Sequence, residues 1–180
     1  MNLPNKLTLL RILLIPVFIL VMMSNIQNHY LISCLIFVIA SITDALDGHI
    51  ARKNNLVTDF GKFMDPLADK LLVISALICM IESDLVAGWM VIIIVSRELT
   101  VSILRAIAAA DGKVIAASGG GKIKTISQML AIIILLIGAN FNNILLINTG
   151  SIFILIATFF TLYSGIDYLY KNRDLFMNSK

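Results

Sequence analysis

The sequence predicts an all-α integral membrane protein with six transmembrane helices. Hydrophobic residues make up 59% of the 180 residues and charged residues only 14%. Apolar segments long enough to span a bilayer recur along the chain, and the basic residues gather at alternate ends of those segments. We expect a single membrane domain over residues 1–180, because this length leaves no room for a separate soluble module.

Six apolar segments define the predicted helices. The first covers residues 9 to about 23; it follows a polar, basic opening but lacks a small-x-small cleavage site, so we expect a retained helix. The fourth ends near Ala110, and the others are predicted at about 31–52, 60–81, 123–139 and 144–170.

The placement of the basic residues predicts the orientation. Apart from Arg97, the basic residues lie in four regions or in the helix ends beside them. These regions are the N-terminal segment, the 52–62 link, the 105–124 loop and the C-terminal tail, whereas the opposite loops have no Lys or Arg. The positive-inside rule therefore predicts a multi-pass protein of the cytoplasmic membrane with both termini and the active site facing the cytoplasm. No basic run or aromatic platform supports nucleic-acid binding.

Four aspartates interrupt the second and third predicted helices. Helical periodicity puts Asp44 and Asp47 on one stripe, and Asp65 and Asp69 on one stripe of the next helix. The short polar link predicts that the two helices are antiparallel neighbours. We therefore expect the two acidic stripes to face each other.

Carboxylates gathered in a medium of low dielectric constant repel each other unless cations balance their charge. A set of carboxylate oxygens favours Mg²⁺ or Mn²⁺ over Zn²⁺, which prefers His or Cys. We expect two divalent cations, Mg²⁺ or Mn²⁺, to share the four aspartates, an arrangement that clamps both sides of a phosphoryl displacement.

Small residues and one arginine accompany the aspartates. Gly48, Ala51 and Gly61 lie on the acidic faces, where they either allow close helix packing or leave space for a nucleotide. Arg52 lies at the mouth of this site, where its guanidinium can bind a diphosphate through two hydrogen bonds.

The order and spacing of these residues resemble the signature of the CDP-alcohol phosphotransferase family. The matching residues are Asp44, Asp47, Gly48, Ala51, Arg52, Gly61, Asp65 and Asp69. Members are membrane enzymes that transfer a phosphatidyl or related group from a CDP-linked donor to an alcohol and release CMP. The resemblance implies the family's fold, a homodimer, metal ligation by Asp44, Asp47 and Asp65, and a catalytic base at Asp69. Gly48, Ala51, Arg52 and Gly61 are then the predicted contacts of the cytidine diphosphate.

The N-terminal segment has a second pattern. Asn5, Thr8 and Arg11 follow an Asn-x-x-Thr-x-x-Arg spacing that resembles the opening of the glycerophosphate-using branch of the family. This resemblance implies that Asn5 and Thr8 lie near the nucleotide. The alternative is that Asn5 or Thr8 caps the first helix and that a basic residue anchors it at the interface.

A basic cluster suggests an anionic acceptor. Arg97, Arg105, Lys122 and Lys124 are expected to approach the aspartates from the fourth and fifth helices and to bind the acceptor's phosphate. Three glycines precede Lys122, in a predicted loop that either binds phosphate or is simply flexible. Because charge inside an apolar segment is costly, Arg97 and Glu98 should face a cavity or each other, with Glu98–Arg105 as a further possible pair.

The leading hypothesis is the reaction of CDP-diacylglycerol with glycerol 3-phosphate, which gives phosphatidylglycerophosphate and CMP. Within the family, the alternatives are an inositol phosphate or serine as acceptor. From another class, a divalent-cation transporter would carry ions without a CDP-linked lipid, but the outer half of the sequence shows no ionisable path. A non-catalytic membrane scaffold leaves the aligned acids unexplained.

Overall fold

The structure is a computed structural model that describes residues 3–53, 59–110 and 119–173. In these ranges it consists of six α-helices and has no β-strand: α1 (Leu3–Met22), α2 (His29–Lys53), α3 (Asp59–Glu82), α4 (Gly88–Ala110), α5 (Gly119–Asn140) and α6 (Ile144–Lys171). The all-helical prediction is confirmed, and each predicted helix has an observed counterpart.

Three of the helices are long and apolar enough to cross a membrane. They contain the segments Asn5–Met22, Gly120–Asn140 and Ile144–Lys171, and α2 carries a shorter apolar stretch, His29–Thr43. Many large apolar side chains are exposed on the helix surfaces, among them Ile92 and Phe159. Such a surface is unfavourable in water and suits contact with lipid, so the structure supports a membrane protein.

Side-chain contacts gather one end of each helix into a common region. Thr8 in α1 donates a hydrogen bond to Asp65 in α3, and the Arg11 Nε atom donates to the Ala40 carbonyl oxygen in α2. These contacts place the N-terminal halves of α1 and α3 close to each other, and α1 close to the middle of α2.

The other three helices complete the same region. Lys124, near the start of α5, donates to Glu98 in α4. Arg97, also in α4, donates to Ser164 in the C-terminal half of α6. We call this region the polar end.

The opposite end is held by the turns between helices. The Asn140 side chain, at the end of α5, accepts a hydrogen bond from the Leu31 backbone N–H at 3.2 Å and donates one to the Asn28 side chain at 3.3 Å. The turn between α1 and α2 therefore lies beside the turn between α5 and α6. Consecutive helices run up and down through the bundle, as the six-segment pattern predicts.

The apolar core lies between the polar end and these turns. Its fully buried members come from several helices and include Phe18, Phe37, Leu77, Met80 and Ile132. Buried polar side chains, by contrast, gather mainly toward the polar end, at Asn5, Thr8, Arg11, Lys124, Gln128 and Ser164. The fold thus separates a packed apolar half from a polar half that is able to hold a ligand.

Two predicted boundaries are wrong. α1 begins at Leu3 rather than residue 9, so Asn5 and Thr8 lie inside the helix, only 8% and 0% exposed, and do not cap it. α5 begins at Gly119, so the glycines expected in a loop form its first turn. Gly120 packs against α6, where a methyl group in its place would lie 3.3 Å from Ser164 Cβ, and such packing outweighs the low helix propensity of glycine.

Glycine also sets the distance between α5 and α6, which make the most extensive helix contact among the described residues. At Gly150 a methyl group would lie 2.5 Å from Leu135 Cγ and 2.8 Å from Cδ2. This spacing leaves no room for a side chain, so Gly150 is required for close packing of the two helices.

We expect Gly150→Ala to lower the free energy of unfolding by about 1–3 kcal/mol, because the added methyl group overpacks the contact with Leu135. Thermal unfolding in detergent, followed by circular dichroism, measures this loss. Gly88→Ala is the matched control, because there the nearest atom would lie at an ordinary 3.9 Å. Equal melting temperatures for the two variants would contradict the packing role of Gly150.

Candidate active site

Two of the predicted acidic residues share one face of α3. Asp65 and Asp69 are four residues apart, one helical turn, so both side chains leave the same side of the helix. Asp65 is half-buried and accepts a hydrogen bond from the Thr8 hydroxyl at 2.5 Å. Asp69 is exposed to the cavities described below.

The other two aspartates belong to α2. The backbones of Asp44 and Asp47 lie in this helix, which contacts both α1 and α3 as expected for neighbours. The side chains of residues 44–63 lie outside the described part of the structure, and with them the predicted contacts Gly48, Ala51, Arg52 and Gly61. The four-aspartate metal site therefore stays a prediction.

The N-terminal pattern lies against the acidic face of α3. Asn5, Thr8 and Arg11 are spaced by three residues along α1, and all three are buried. Arg11 is fully buried, and its Nε atom donates a hydrogen bond to the Ala40 carbonyl oxygen of α2. Arg11 follows Thr8 by about one helical turn, so it lies on the same side of α1 as the residue that binds Asp65.

Two neighbouring cavities open at the polar end between α3, α4 and α5. The larger has a volume of about 440 Å³ and is lined by Asp69, Lys70, Arg97, Glu98, Val101, Ser102, Arg105, Gly121, Lys122, Thr125 and Ile126. The smaller has a volume of about 40 Å³ and is lined by Asp69, Lys70, Val73, Ile74, Glu98, Lys124, Thr125, Gln128 and Met129. All four basic residues predicted to bind the acceptor line one of these cavities, together with Asp69.

The cavities are electropositive. Five basic side chains and two carboxylates line them, an excess of three positive charges. Low-dielectric walls strengthen the field of such a cluster and raise the local concentration of anions. The larger cavity also falls within the usual size range of small-molecule sites, roughly 300–1,000 Å³. It suits a small anionic ligand.

A largely buried ion network joins α4, α5 and α6. The Glu98 Oε1 atom accepts hydrogen bonds from Arg97 Nη1 at 2.9 Å and from Lys124 Nζ at 2.7 Å, and Arg97 Nη2 donates to Ser164 Oγ at 3.1 Å. Gly165 leaves space for Arg97, since a methyl group there would lie 3.1 Å from its Cγ atom. Removing one partner would leave a buried charge uncompensated, which is strongly destabilising.

The ion network shows which of the pairings allowed by the sequence are formed. Arg97 and Glu98 pair with each other, as one prediction held, and Glu98 does not pair with Arg105. Glu98 pairs with Lys124 instead of Arg105, because α5 positions the Lys124 ammonium group beside the Glu98 carboxylate. The Arg105 guanidinium instead lies over the Tyr168 ring, 5.8 Å from its centre.

The four predicted acceptor residues thus differ in their surroundings. Arg97 and Lys124 are bound to Glu98, whereas Arg105 and Lys122 are exposed and line only the larger cavity. The exposed pair is therefore better placed to meet an incoming phosphate. All four roles stay predictions.

Sequence reasoning missed some cavity-lining residues as site members. Lys70 and Thr125 line both cavities, and Ser102 and Gln128 each line one. Helical spacing indicates two of these residues, since Gln128 follows Lys124 by one turn and Ser102 follows Glu98 by one turn. The spacing identifies them as site residues only when the helix face directed at Asp69 is known.

Comparison with known proteins identifies the family. A family model described as CDP-alcohol phosphatidyltransferase matches residues 1–163. The chain belongs to this family. It is the phosphotransferase family that the aspartate motif predicted, and the matched range includes all four aspartates, both cavities and the Arg97, Glu98 and Lys124 side chains of the ion network.

Similar CDP-alcohol phosphatidyltransferases extend over nearly the whole chain. A Bacillus subtilis protein is 44% identical over 190 residues, covering 99% of this chain and 98% of its own length. A Rickettsia felis protein is 43% identical with 97% of each chain covered, and a Haemophilus influenzae protein is 42% identical with 93% and 91% covered. All three are named CDP-diacylglycerol–glycerol-3-phosphate 3-phosphatidyltransferase.

Proposed function

We propose that this protein transfers the phosphatidyl group of CDP-diacylglycerol to glycerol 3-phosphate, giving phosphatidylglycerophosphate and CMP, in phospholipid biosynthesis. The observation that carries the proposal is the electropositive cavity that opens onto Asp69 of the family motif. A small anionic acceptor fits this cavity, and the names of the similar proteins support glycerol 3-phosphate over an inositol phosphate or serine.

All six helices are proposed to cross the cytoplasmic membrane. α3 and α4 carry charged residues at the polar end, but their other faces expose large apolar side chains such as Ile78 and Ile92, which suits contact with lipid. The polar end also collects most of the basic residues, so the positive-inside rule places it and both termini in the cytoplasm. A soluble acceptor then reaches the cavity from the cytosol while the lipid tails of the donor remain in the bilayer. The homodimer implied by the family resemblance stays a prediction.

Asp44, Asp47, Asp65 and Asp69 are the proposed ligands of two Mg²⁺ or Mn²⁺ ions. The donor set consists of carboxylate oxygens, and the α3 pair lies on one helix face with Asp65 oriented by Thr8, which fits a hard divalent ion. When bound, these ions would neutralise negative charge on the diphosphate and on departing CMP.

The cytidine diphosphate is proposed to contact Asn5, Thr8, Gly48, Ala51, Arg52 and Gly61. Asn5 and Thr8 are buried on the side of α1 that meets α3, so they lie beside the acids rather than at the membrane surface. A guanidinium at Arg52 suits a diphosphate because its planar fork matches two phosphate oxygens.

The acceptor's phosphate is proposed to bind Arg105 and Lys122 directly, with Arg97 and Lys124 contributing positive charge from the ion network. Its terminal hydroxyl is then directed toward Asp69, which lines the same cavity. Asp69 accepts the hydroxyl proton as the acceptor oxygen bonds to the lipid-bearing phosphorus. The bond from that phosphorus to the bridging oxygen breaks, and CMP leaves with this oxygen.

The choice of acceptor is tested directly. Purified protein with CDP-diacylglycerol and a divalent cation is expected to release CMP when glycerol 3-phosphate is added, and much less with inositol phosphate or serine. Release of CMP is measured by chromatography. Strong release with another acceptor, or ion flux in vesicles without a CDP-linked lipid, would overturn the proposal.

Asp69→Asn is expected to lower kcat by about 10²–10⁴-fold, because the amide cannot accept the hydroxyl proton. Binding of CDP-diacylglycerol, measured by calorimetry, should be retained. Asp84→Asn is the matched control: it lies in the turn between α3 and α4, at the far end from the cavities, and its φ of 56° is one that Asn adopts readily. An Asp69→Asn protein with full turnover would remove the base assignment.

Arg105→Gln is expected to raise the KM for glycerol 3-phosphate by about 10- to 100-fold, since a hydrogen bond to a charged group contributes about 1.5–3 kcal/mol. The KM for CDP-diacylglycerol should change little. Arg173→Gln provides the control, because Arg173 also lies over a tyrosine ring, at 5.3 Å from its centre, but does not line either cavity. Equal effects of the two substitutions would argue against a phosphate contact at Arg105.

A further inference from the structure

Glu98 has a second carboxylate oxygen that the ion network does not use. Oε1 accepts both hydrogen bonds, from Arg97 and Lys124, while Oε2 receives none from the side chains and backbone that the structure describes. The Glu98 side chain is 16% exposed, and it lines both cavities. An acceptor oxygen is therefore available at the wall of the site.

We propose that Glu98 is a specificity-determining residue whose Oε2 atom accepts a hydrogen bond from the middle hydroxyl of the acceptor. The inference rests on the proposed function, because it assumes a three-carbon acceptor with a phosphate at one end and the reacting hydroxyl at the other. It adds a residue that distinguishes a phosphorylated diol from a phosphorylated mono-alcohol.

The arrangement of the two cavities supports this role. Glu98 and Asp69 line both spaces, whereas Arg105 and Lys122 line only the larger one. An acceptor whose phosphate is bound by the exposed cations and whose terminal hydroxyl is at Asp69 extends along the wall that Glu98 forms. Its middle carbon then faces that carboxylate.

The ion network makes Glu98 suited to this contact. Two cations hold Oε1, so the carboxylate cannot turn away and its orientation is set before the acceptor binds. They also offset its charge, so it does not repel an anionic ligand. A site that presents an acceptor atom to a substrate hydroxyl discriminates against an analogue without that hydroxyl, because the atom then loses that partner.

The test compares glycerol 3-phosphate with 3-hydroxypropyl phosphate, which keeps the terminal hydroxyl and the phosphate but lacks the middle hydroxyl. For the unmodified protein we expect kcat/KM to be about 10- to 100-fold lower with the analogue. In Glu98→Gln this ratio should fall to within about threefold, because Arg97 and Lys124 retain the one amide oxygen and a neutral NH2 group replaces the anionic Oε2 at the cavity. Glu82→Gln, the same change at the opposite end of the bundle, should keep the original ratio.

The ratio of the two kcat/KM values distinguishes a specificity-determining role of Glu98 from a structural one. If Glu98 only holds Arg97 and Lys124, Glu98→Gln lowers both rates by the same factor and leaves the ratio unchanged, which overturns the inference. Should Glu98→Gln not fold, the unmodified protein still decides, since equal kcat/KM values for the two acceptors overturn the inference alone. Absence of CMP release with glycerol 3-phosphate would overturn the proposed function itself.

Discussion

Charge inside an apolar helix bundle must be compensated within the bundle, and this requirement organises the polar end. Lys124 and Arg97 are both bound to Glu98, and Arg11 is fully buried with its Nε atom on the Ala40 carbonyl oxygen. Lys124 joins α5 to α4, Arg97 joins α4 to α6 through Ser164, and Arg11 joins α1 to α2 through the Ala40 carbonyl oxygen. The same groups that would be too costly in isolation therefore help to determine how these helices meet.

The division into an apolar half and a polar half links stability to function. Close packing at Gly150 and the core around Phe18, Leu77 and Ile132 hold the helices at short distances. At the polar end α3, α4 and α5 border the two cavities, where charged side chains replace the apolar core. A rigid apolar half can therefore keep an open polar half in a constant shape, which catalysis by positioned groups requires.

Much of the helical fold was predictable, because membrane helices have strong patterns in the sequence. Long apolar segments predicted the helices, and the i, i+4 spacing of Asp65 and Asp69 predicted their shared face. The start of α1 was missed because Asn5 and Thr8 are polar, which suggests solvent, whereas their true neighbours are α3 and its acids. The pairing of Glu98 with Lys124 depends on how α5 packs against α4, and no local pattern contains that information. The helical first turn at Gly119–Gly121 was missed for the same reason, since it depends on packing against α6.

The wall shared by the two cavities has a consequence for how acceptor choice can diverge among related proteins. Asp69, Lys70, Glu98 and Thr125 border both spaces, so a change at any of them alters the two cavities together. Ser102 and Ile126 border only the larger space. Evolution or protein engineering can therefore reshape the larger cavity at these two positions without changing the residues that it shares with the smaller one.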